Sequence, residues 1–156
     1  GEDIEIIWQC GKYYKPSVDA FMKEAQGKGL GGECLKYIHH SDFIKRMDLA
    51  YAAADIVISR SGASSISELC AAHKASIFVP SPNVTEDHQT HNAMALVRKD
   101  AGMIVKDSEA EEKLMKTACG LIENPERIAL MEKNIAALAK TEAAQEIVDE
   151  AYKIIG

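Results

Sequence analysis

Short apolar runs alternate with longer runs of helical periodicity along almost the whole chain. The apolar runs predict strands at Ile4–Gln9, Cys34–Ile38, Ile56–Ser59, Ser76–Val79 and Met103–Val105. The periodic runs predict helices at Ser17–Gln26, Phe43–Ala54, Ile66–His73, Gln89–Arg98, Ala110–Ile122, Pro125–Lys140 and Glu142–Ile154. Mostly apolar strands are typical of parallel strands that are buried on both faces. The order therefore predicts an α/β fold, a doubly wound parallel sheet with helices on both faces.

Length, charge and cysteine content limit the classes of protein that this chain can belong to. A chain of 156 residues predicts one domain, residues 1–156. The formal net charge of −6 argues against a partner held mainly through nucleic-acid phosphates. Four scattered cysteines predict free thiols in a reducing compartment. No signal peptide opens the sequence, and no apolar run approaches the roughly 20 residues that span a bilayer.

Sheets of the predicted kind bind ligands at the carboxyl ends of their strands, where loops lead into helix N-termini. The loops in that position are His39–Phe43, Arg60–Ser65 and Pro80–Gln89. A ligand site is therefore expected on these three loops.

The loop Arg60–Ser65 is built mainly of small residues. Gly62 allows a sharp turn, and small side chains let a ligand approach the main-chain N–H groups. A helix start favours an anion such as a diphosphate, through its unpaired N–H groups and its dipole. The same composition also serves simply to cap a helix, and the loop alone favours that simpler interpretation.

Glu68 follows this loop and has two interpretations of equal weight. In a capping box, its side chain reaches back to the backbone N–H of Ser65. As a ligand group, its two carboxylate oxygens accept hydrogen bonds from both hydroxyls of a ribose diol. The sequence pattern leaves both open.

The third loop ends in a polar segment, Asp87–Asn92. Spacing on a helix brings His88, Gln89 and Asn92 to one face, and their side chains can both donate and accept hydrogen bonds, as sugar hydroxyls require. The alternative is a solvated first turn capped by Thr85 or Asp87. The histidines lack the spacing of a metal site, so no metal is expected. No general base or catalytic triad can be argued from spacing.

Together these segments resemble a known family. The stretch from Asp42 to Val105 carries R-S-G-A-x-x-x-S-E, then P-S-P-N and D-H-Q-x-x-N-A. In combination these motifs resemble the C-terminal domain of glycosyltransferases of the MurG type. The resemblance implies the Rossmann-like C-terminal half of a two-domain GT-B enzyme, a hexosyltransferase. In this family that half holds UDP-N-acetylglucosamine and the N-terminal half holds a lipid-linked acceptor. The sugar passes to the muramoyl group of lipid I with inversion, forming lipid II of peptidoglycan, with no metal or other cofactor.

The resemblance also implies roles for individual residues. The backbone of Ile44 reads the uracil edge, and Glu68 binds the ribose hydroxyls. The loop that starts at Arg60 faces the diphosphate and sugar through Ala63, Ser64 and Ser65. Gln89 and Asn92 contact the N-acetylglucosamine ring, and His88 stands where some relatives carry glutamine.

Two segments of the family are absent from this sequence. These are the G-x-G-G-H segment with its candidate catalytic histidine, and the G-G-S loop after the donor domain's first strand. The resemblance thus implies a donor domain that begins at its second strand and contains no catalytic residue. We expect no transferase activity from this chain alone and weak donor affinity, because two substrates must be brought together. The full-length protein is expected in the cytoplasm, peripheral on the inner face of the plasma membrane, with membrane contact only through the part absent here.

The sequence is also compatible with other functions. A UDP-N-acetylglucosamine 2-epimerase, or another GT-B enzyme acting on a UDP-sugar, also places a small-residue turn and a glutamate at the nucleotide. A donor subunit of a two-chain transferase is a further alternative. A receiver-like regulatory module fits poorly, because Asp55 precedes its strand instead of following it.

Overall fold

A computed structural model of the chain describes residues 4–29, 32–82 and 87–139. The chain divides into two compact units, Gly1–Ala50 and Tyr51–Gly156. Every strand pairing in the described ranges is parallel, and helices pack on the strands. The predicted α/β class is thereby confirmed.

The first unit is built on a two-stranded parallel sheet. Its elements are β1 (Ile6–Gln9), α1 (Gly11–Gly27), a 3-10 segment (Gly32–Tyr37) and β2 (Ile38–Ser41). The sheet register places Ile6 opposite Ile38. The core of this unit consists of Cys10 with Val18 and Met22 of α1, against which Leu35 and Ile38 pack.

Two predicted boundaries in this unit are wrong. The first helix begins at Gly11, six residues before the predicted start, and it includes Pro16. Proline usually lies in the first turn of a helix, because further along it removes one backbone hydrogen bond, so Pro16 made the predicted start too late. The predicted strand Cys34–Ile38 is mostly a 3-10 segment, and pairing with β1 begins only at Ile38. Leu35 supplies its apolar side chain to the core from that segment, so apolarity alone misplaced the strand.

The second unit contains a three-stranded parallel sheet in the order β3-β4-β5. The elements after β2 are α2 (Met47–Ala53), β3 (Val57–Ser59), α3 (Ala63–Ala71), β4 (Ser76–Phe78), α4 (His88–Val97), β5 (Met103–Ile104), α5 (Ala110–Ile122) and α6 (Pro125–Ala136). The predicted start of α6 at Pro125 is confirmed, with Asn124 accepting the N–H of Arg127 at 2.9 Å. The predicted helix Glu142–Ile154 lies outside the described residues.

The central strand β4 is covered on both faces. Phe78 is fully buried in a cluster with Leu69 of α3 and Leu96 of α4. Its neighbour Ile77 is fully buried in a second cluster with Leu121 of α5. Because neighbouring strand residues point to opposite faces, the helices of this unit lie on both sides of its sheet, as predicted.

Two further features concern the packing and the helices. Gly102 approaches β4 closely, since an added Cβ would lie 2.6 Å from Cε2 of the Phe78 ring. Among helices in the described ranges, none combines the length and the hydropathy needed to cross a membrane.

Candidate functional site

The loops that follow β3, β4 and β5 meet at one edge of the second sheet, because the strands are parallel. One guanidinium joins them. Nη1 of Arg60 donates to the backbone carbonyls of Val79 at 3.1 Å and Pro80 at 3.3 Å, and to the Asp107 carboxylate at 2.5 Å. Arg60 thus fixes the shape of this edge, although its side chain is about half exposed (54%).

Helix α3 starts at this edge without a side-chain cap. Its N-cap residue is Gly62, with extended φ and ψ of −63° and 151°. The first backbone bond of the helix joins the N–H of Ile66 to the carbonyl of Gly62 at 3.0 Å. The N–H groups of Ala63, Ser64 and Ser65 therefore have no acceptor within the helix. No acidic residue lies in this first turn, so the positive end of the dipole is not neutralised there.

This helix start removes one of the two interpretations of Glu68. A capping box requires Ser65 to be the N-cap, whereas α3 begins at Ala63. Glu68 is therefore the sixth residue of the helix, too far along to cap it, and the capping-box interpretation is wrong. The predicted start at Ile66 was too late because Ser64 and Ser65 continue the helix instead of preceding it.

The Glu68 carboxylate lies on the exposed side of α3, one turn from Ser64. Helical side chains lean toward the N-terminus, so Glu68 leans toward the unpaired N–H groups. Glu68 is six positions after Gly62, which corresponds to about 9 Å along a helix axis. The hydroxyl of Tyr51 donates to Oε2 of Glu68 at 3.2 Å. A carboxylate and a helix start with unpaired N–H groups are thus available on the same helix.

The hydroxyl of Tyr51 keeps its proton at neutral pH and is therefore a hydrogen-bond donor. Burial, and next the nearby charge of Glu68 with its hydrogen bond, raise the pKa of Tyr51 to about 12. The phenol therefore stays protonated, and toward a carboxylate it can act only as a donor.

The start of α4 is joined to the start of α3 through Ser61. Oε1 of Gln89 accepts the N–H groups of Ser61 at 3.3 Å and Ser81 at 2.9 Å. The buried hydroxyl of Ser61 donates to the backbone carbonyl of Gln89 at 2.9 Å, and Nδ2 of Asn92 donates to the carbonyl of Ser61 at 3.2 Å. The N-cap residue of α4, Asp87, has a left-handed conformation and makes no side-chain cap bond. The starts of α3 and α4 therefore lie side by side.

The predicted amide pair is brought together as expected. Gln89 and Asn92 face the same loop. Oε1 of Gln89 and Nδ2 of Asn92 form the bonds to Ser61 and Ser81, and Nε2 of Gln89 and Oδ1 of Asn92 take no part in them. His88 is exposed in the first turn of α4. The alternative cap residue Thr85 lies outside the described residues, and Asp87 does not cap with its side chain.

Ile44 belongs to the first unit, between β2 and α2. Its backbone N–H, predicted to read a uracil, donates to Oε1 of Gln9 at 2.8 Å. A carboxamide has a neighbouring acceptor and donor, as the Watson–Crick edge of uracil does, so Gln9 offers this N–H the kind of partner that a base would.

Several residues at these loops carried no local sequence signal. Ser61 and Ser81 act through bonds to Gln89, and Asp107 is 47 positions from Arg60. Tyr51 has the helical spacing of a core residue. In the described ranges, no group of three or more His, Cys, Asp or Glu side chains is arranged to hold a metal ion. All four cysteines are free.

Fold and site together define a class: an α/β domain whose strand-end loops and helix starts suit a phosphorylated ligand. The comparison with protein families is more specific. Residues 1–149 match the glycosyltransferase family 28 C-terminal domain, and the chain belongs to this family. The resemblance predicted from the motifs is confirmed.

The names of individual similar proteins are consistent with this family. The UDP-N-acetylglucosamine–N-acetylmuramyl-(pentapeptide) pyrophosphoryl-undecaprenol N-acetylglucosamine transferase of Parabacteroides distasonis is 48% identical over 153 residues, which is 98% of this chain and 39% of that protein. The protein of the same name from Bacteroides thetaiotaomicron is 50% identical over 152 residues, 97% of this chain and 39% of that protein. The chain therefore spans about two fifths of these relatives.

A solved structure is also similar. The crystal structure of Acinetobacter baumannii MurG superposes with a TM-score of 0.77 at 28% identity, covering 96% of this chain and 41% of that one. The Rossmann-like fold class predicted from the sequence is confirmed by this likeness.

Proposed function

We propose that this chain is the donor-binding part of an N-acetylglucosamine transferase of peptidoglycan synthesis, and that its ligand is UDP-N-acetylglucosamine. The observation that carries the proposal is the Glu68 carboxylate beside the uncapped start of α3. The names of the two curated relatives, which specify transfer of N-acetylglucosamine, support it.

The diphosphate is assigned to the two helix starts. Backbone N–H groups of Ala63, Ser64 and Ser65 donate to its oxygens, and the dipoles of α3 and α4 favour its negative charge. Arg60 adds positive potential at the start of the loop while it holds the loop through Asp107 and two carbonyls. When UDP leaves, the same groups stabilise the charge that develops on the diphosphate.

The nucleoside and the sugar are assigned to other residues of the chain. Glu68 accepts hydrogen bonds from the ribose hydroxyls. The backbone N–H of Ile44, which donates to Gln9 in this structure, donates to the uracil when the nucleotide is bound. Nε2 of Gln89 and Oδ1 of Asn92 bind hydroxyl and acetamido groups of the sugar ring, with His88 nearby in the same turn.

The remaining steps are assigned outside these residues. The acceptor hydroxyl attacks the anomeric carbon opposite the departing UDP, which inverts the configuration. We assign the base and the lipid-linked muramoyl acceptor to the part of the relatives that this chain does not span. We place the full-length enzyme at the cytoplasmic face of the membrane, where such a lipid and a UDP-sugar meet. The names of the relatives favour a transferase over the 2-epimerase.

A titration of the chain with UDP-N-acetylglucosamine, followed by NMR because weak binding is expected, tests the proposal. Glu68→Gln should weaken binding by about 1.5–3 kcal/mol, the usual value of a hydrogen bond to a charged group. Glu123→Gln is the matched control, since Glu123 is exposed just after the C-terminal end of α5, at the opposite edge of the sheet. Equal affinity of the Glu68 variant and the unchanged chain would contradict the ribose assignment.

A further inference from the structure

The phenol of Tyr51 lies against the carboxylate that the proposed function assigns to the ribose. The two residues come from different helices, α2 and α3, and the hydroxyl lies 3.2 Å from Oε2 of Glu68. Within the described ranges, this is the one side-chain hydrogen bond that the Glu68 carboxylate makes.

The two partners differ in how firmly they are held. The Tyr51 ring packs against the buried cluster that contains Leu69 and Phe78. Glu68 is exposed, so several rotamers are accessible to its side chain. The packed Tyr51 therefore sets the orientation of the Glu68 carboxylate.

We propose that Tyr51 is a positioning residue, which orients the Glu68 carboxylate to accept both hydroxyls of the ribose. The inference rests on the proposed function, and it adds a residue that does not touch the ligand itself. Tyr51 thereby contributes to discrimination between ribo- and 2′-deoxyribonucleotides.

The chemistry of the pair allows this role. An ionised carboxylate has about four lone-pair sites, and the phenol uses one of them on Oε2. Oε1 and the remaining site on Oε2 stay available for two neighbouring hydroxyls. A carboxylate whose plane is already set loses less conformational entropy when the diol binds, which improves affinity without a new contact to the ligand.

The test compares UDP with 2′-deoxy-UDP on the 156-residue chain, in the unchanged form and as Tyr51→Phe. The ring remains in Tyr51→Phe, so the core contacts are kept while the donor is lost. We expect affinity for UDP to fall about three- to tenfold, and affinity for 2′-deoxy-UDP to fall less. The preference for the ribonucleotide should therefore shrink. If Tyr51 has a purely structural role, the affinities for UDP and for 2′-deoxy-UDP should fall by the same factor. An unchanged preference for the ribonucleotide would therefore overturn the inference.

Three controls separate the possible outcomes. Tyr37→Phe, at the amino end of β2, should leave both affinities unchanged. In a Glu68→Gln background, Tyr51→Phe should have no additional effect on the ratio of the two affinities. If Glu68→Gln alone leaves the ratio unchanged, the ribose assignment of the proposed function fails and the inference fails with it. If only Tyr51→Phe leaves it unchanged, the inference alone fails.

A second measurement covers the case in which Tyr51→Phe does not fold. In the unchanged chain, the Cζ resonance of Tyr51 should move when UDP is added and move less with 2′-deoxy-UDP. A resonance that stays in place with both nucleotides at saturation would overturn the inference.

Discussion

Gly102 lies close to the Phe78 ring in the core of the second unit. An added Cβ at Gly102 would meet ring carbons at 2.6 and 3.1 Å and the carbonyl of Ser76 at 3.4 Å. The Phe78 ring is fully buried, so it cannot move aside as an exposed side chain would.

Gly102→Ala is therefore predicted to lower the free energy of unfolding by about 1–3 kcal/mol, as overpacking usually does. Gly120→Ala is the matched control, because nothing lies within 4 Å of its added Cβ and the residue is inside α5. That control should stabilise the chain by about 0.5–1 kcal/mol. Urea denaturation of the two variants measures both values, and equal effects would contradict the packing described for Phe78.

Tyr51 also makes stability depend on pH. Its pKa is about 12 in the folded chain, raised first by burial and then by Glu68, whereas an unfolded tyrosine has a pKa of about 10. Below the unfolded pKa the phenol is protonated in both states, and its contribution to stability is complete. As the pH rises through the folded pKa, that contribution is lost.

We therefore predict that Tyr51→Phe is less sensitive to alkali than the unchanged chain between pH 10 and 12. Thermal melts at pH 9 and at about pH 11.5 measure the difference. The unchanged chain should lose more stability across this interval than the variant does. Parallel losses in the two proteins would show that Tyr51 ionises as a solvated tyrosine does.

The residues of the candidate site show which roles local sequence can predict. Gln89 and Asn92 were placed on one face by their spacing alone, and the structure brings them to the same loop. Glu68 could not be resolved in this way, because a shift of three residues in the helix start decides whether it caps. Tyr51 depended on a contact across 17 positions, which no local pattern reveals.

At the scale of secondary-structure elements, polar side chains hold together the loops that follow β3, β4 and β5. Arg60 and Asp107 form an ion pair whose members are 54% and 35% exposed, and exposed pairs contribute about 0–1 kcal/mol. The same guanidinium also donates to the carbonyls of Val79 and Pro80, which lie in buried residues.

Asp107→Ala should therefore cost less than about 1 kcal/mol of unfolding free energy. Arg60→Ala should cost more, about 1–3 kcal/mol, because two backbone carbonyls lose their donor. The double variant should match Arg60→Ala, since both changes break one network. Strictly additive effects in chemical denaturation would mean that the two side chains act independently.

The elements were predictable to different degrees. Strands β3, β4 and β5 lie within one or two residues of their predicted ranges, because a short, mostly apolar run between turns has few alternatives. The starts of the helices were predicted less accurately than the strands. Pro16 and the Ser64-Ser65 pair both resemble start signals, yet both lie inside helices.

At the scale of the whole molecule, the parallel α/β class and the helices on both faces of the second sheet followed from the order and apolarity of the runs. The family followed from the combination of motifs, and it is confirmed over residues 1–149. The division into Gly1–Ala50 and Tyr51–Gly156 did not follow, because no glycine- or proline-rich linker marks position 50.

In the proposed site, one nucleoside diphosphate contacts both the start of α3 and the Glu68 carboxylate. Residue-resolved NMR of the chain, titrated with uridine and with UDP, separates these two contacts. UDP should shift the backbone amides of Ala63, Ser64 and Ser65 strongly, while uridine, which has no phosphate, should leave them nearly unchanged and still perturb the surroundings of Glu68. If UDP at saturation leaves the resonances of those three amides unchanged, the diphosphate does not bind at the start of α3.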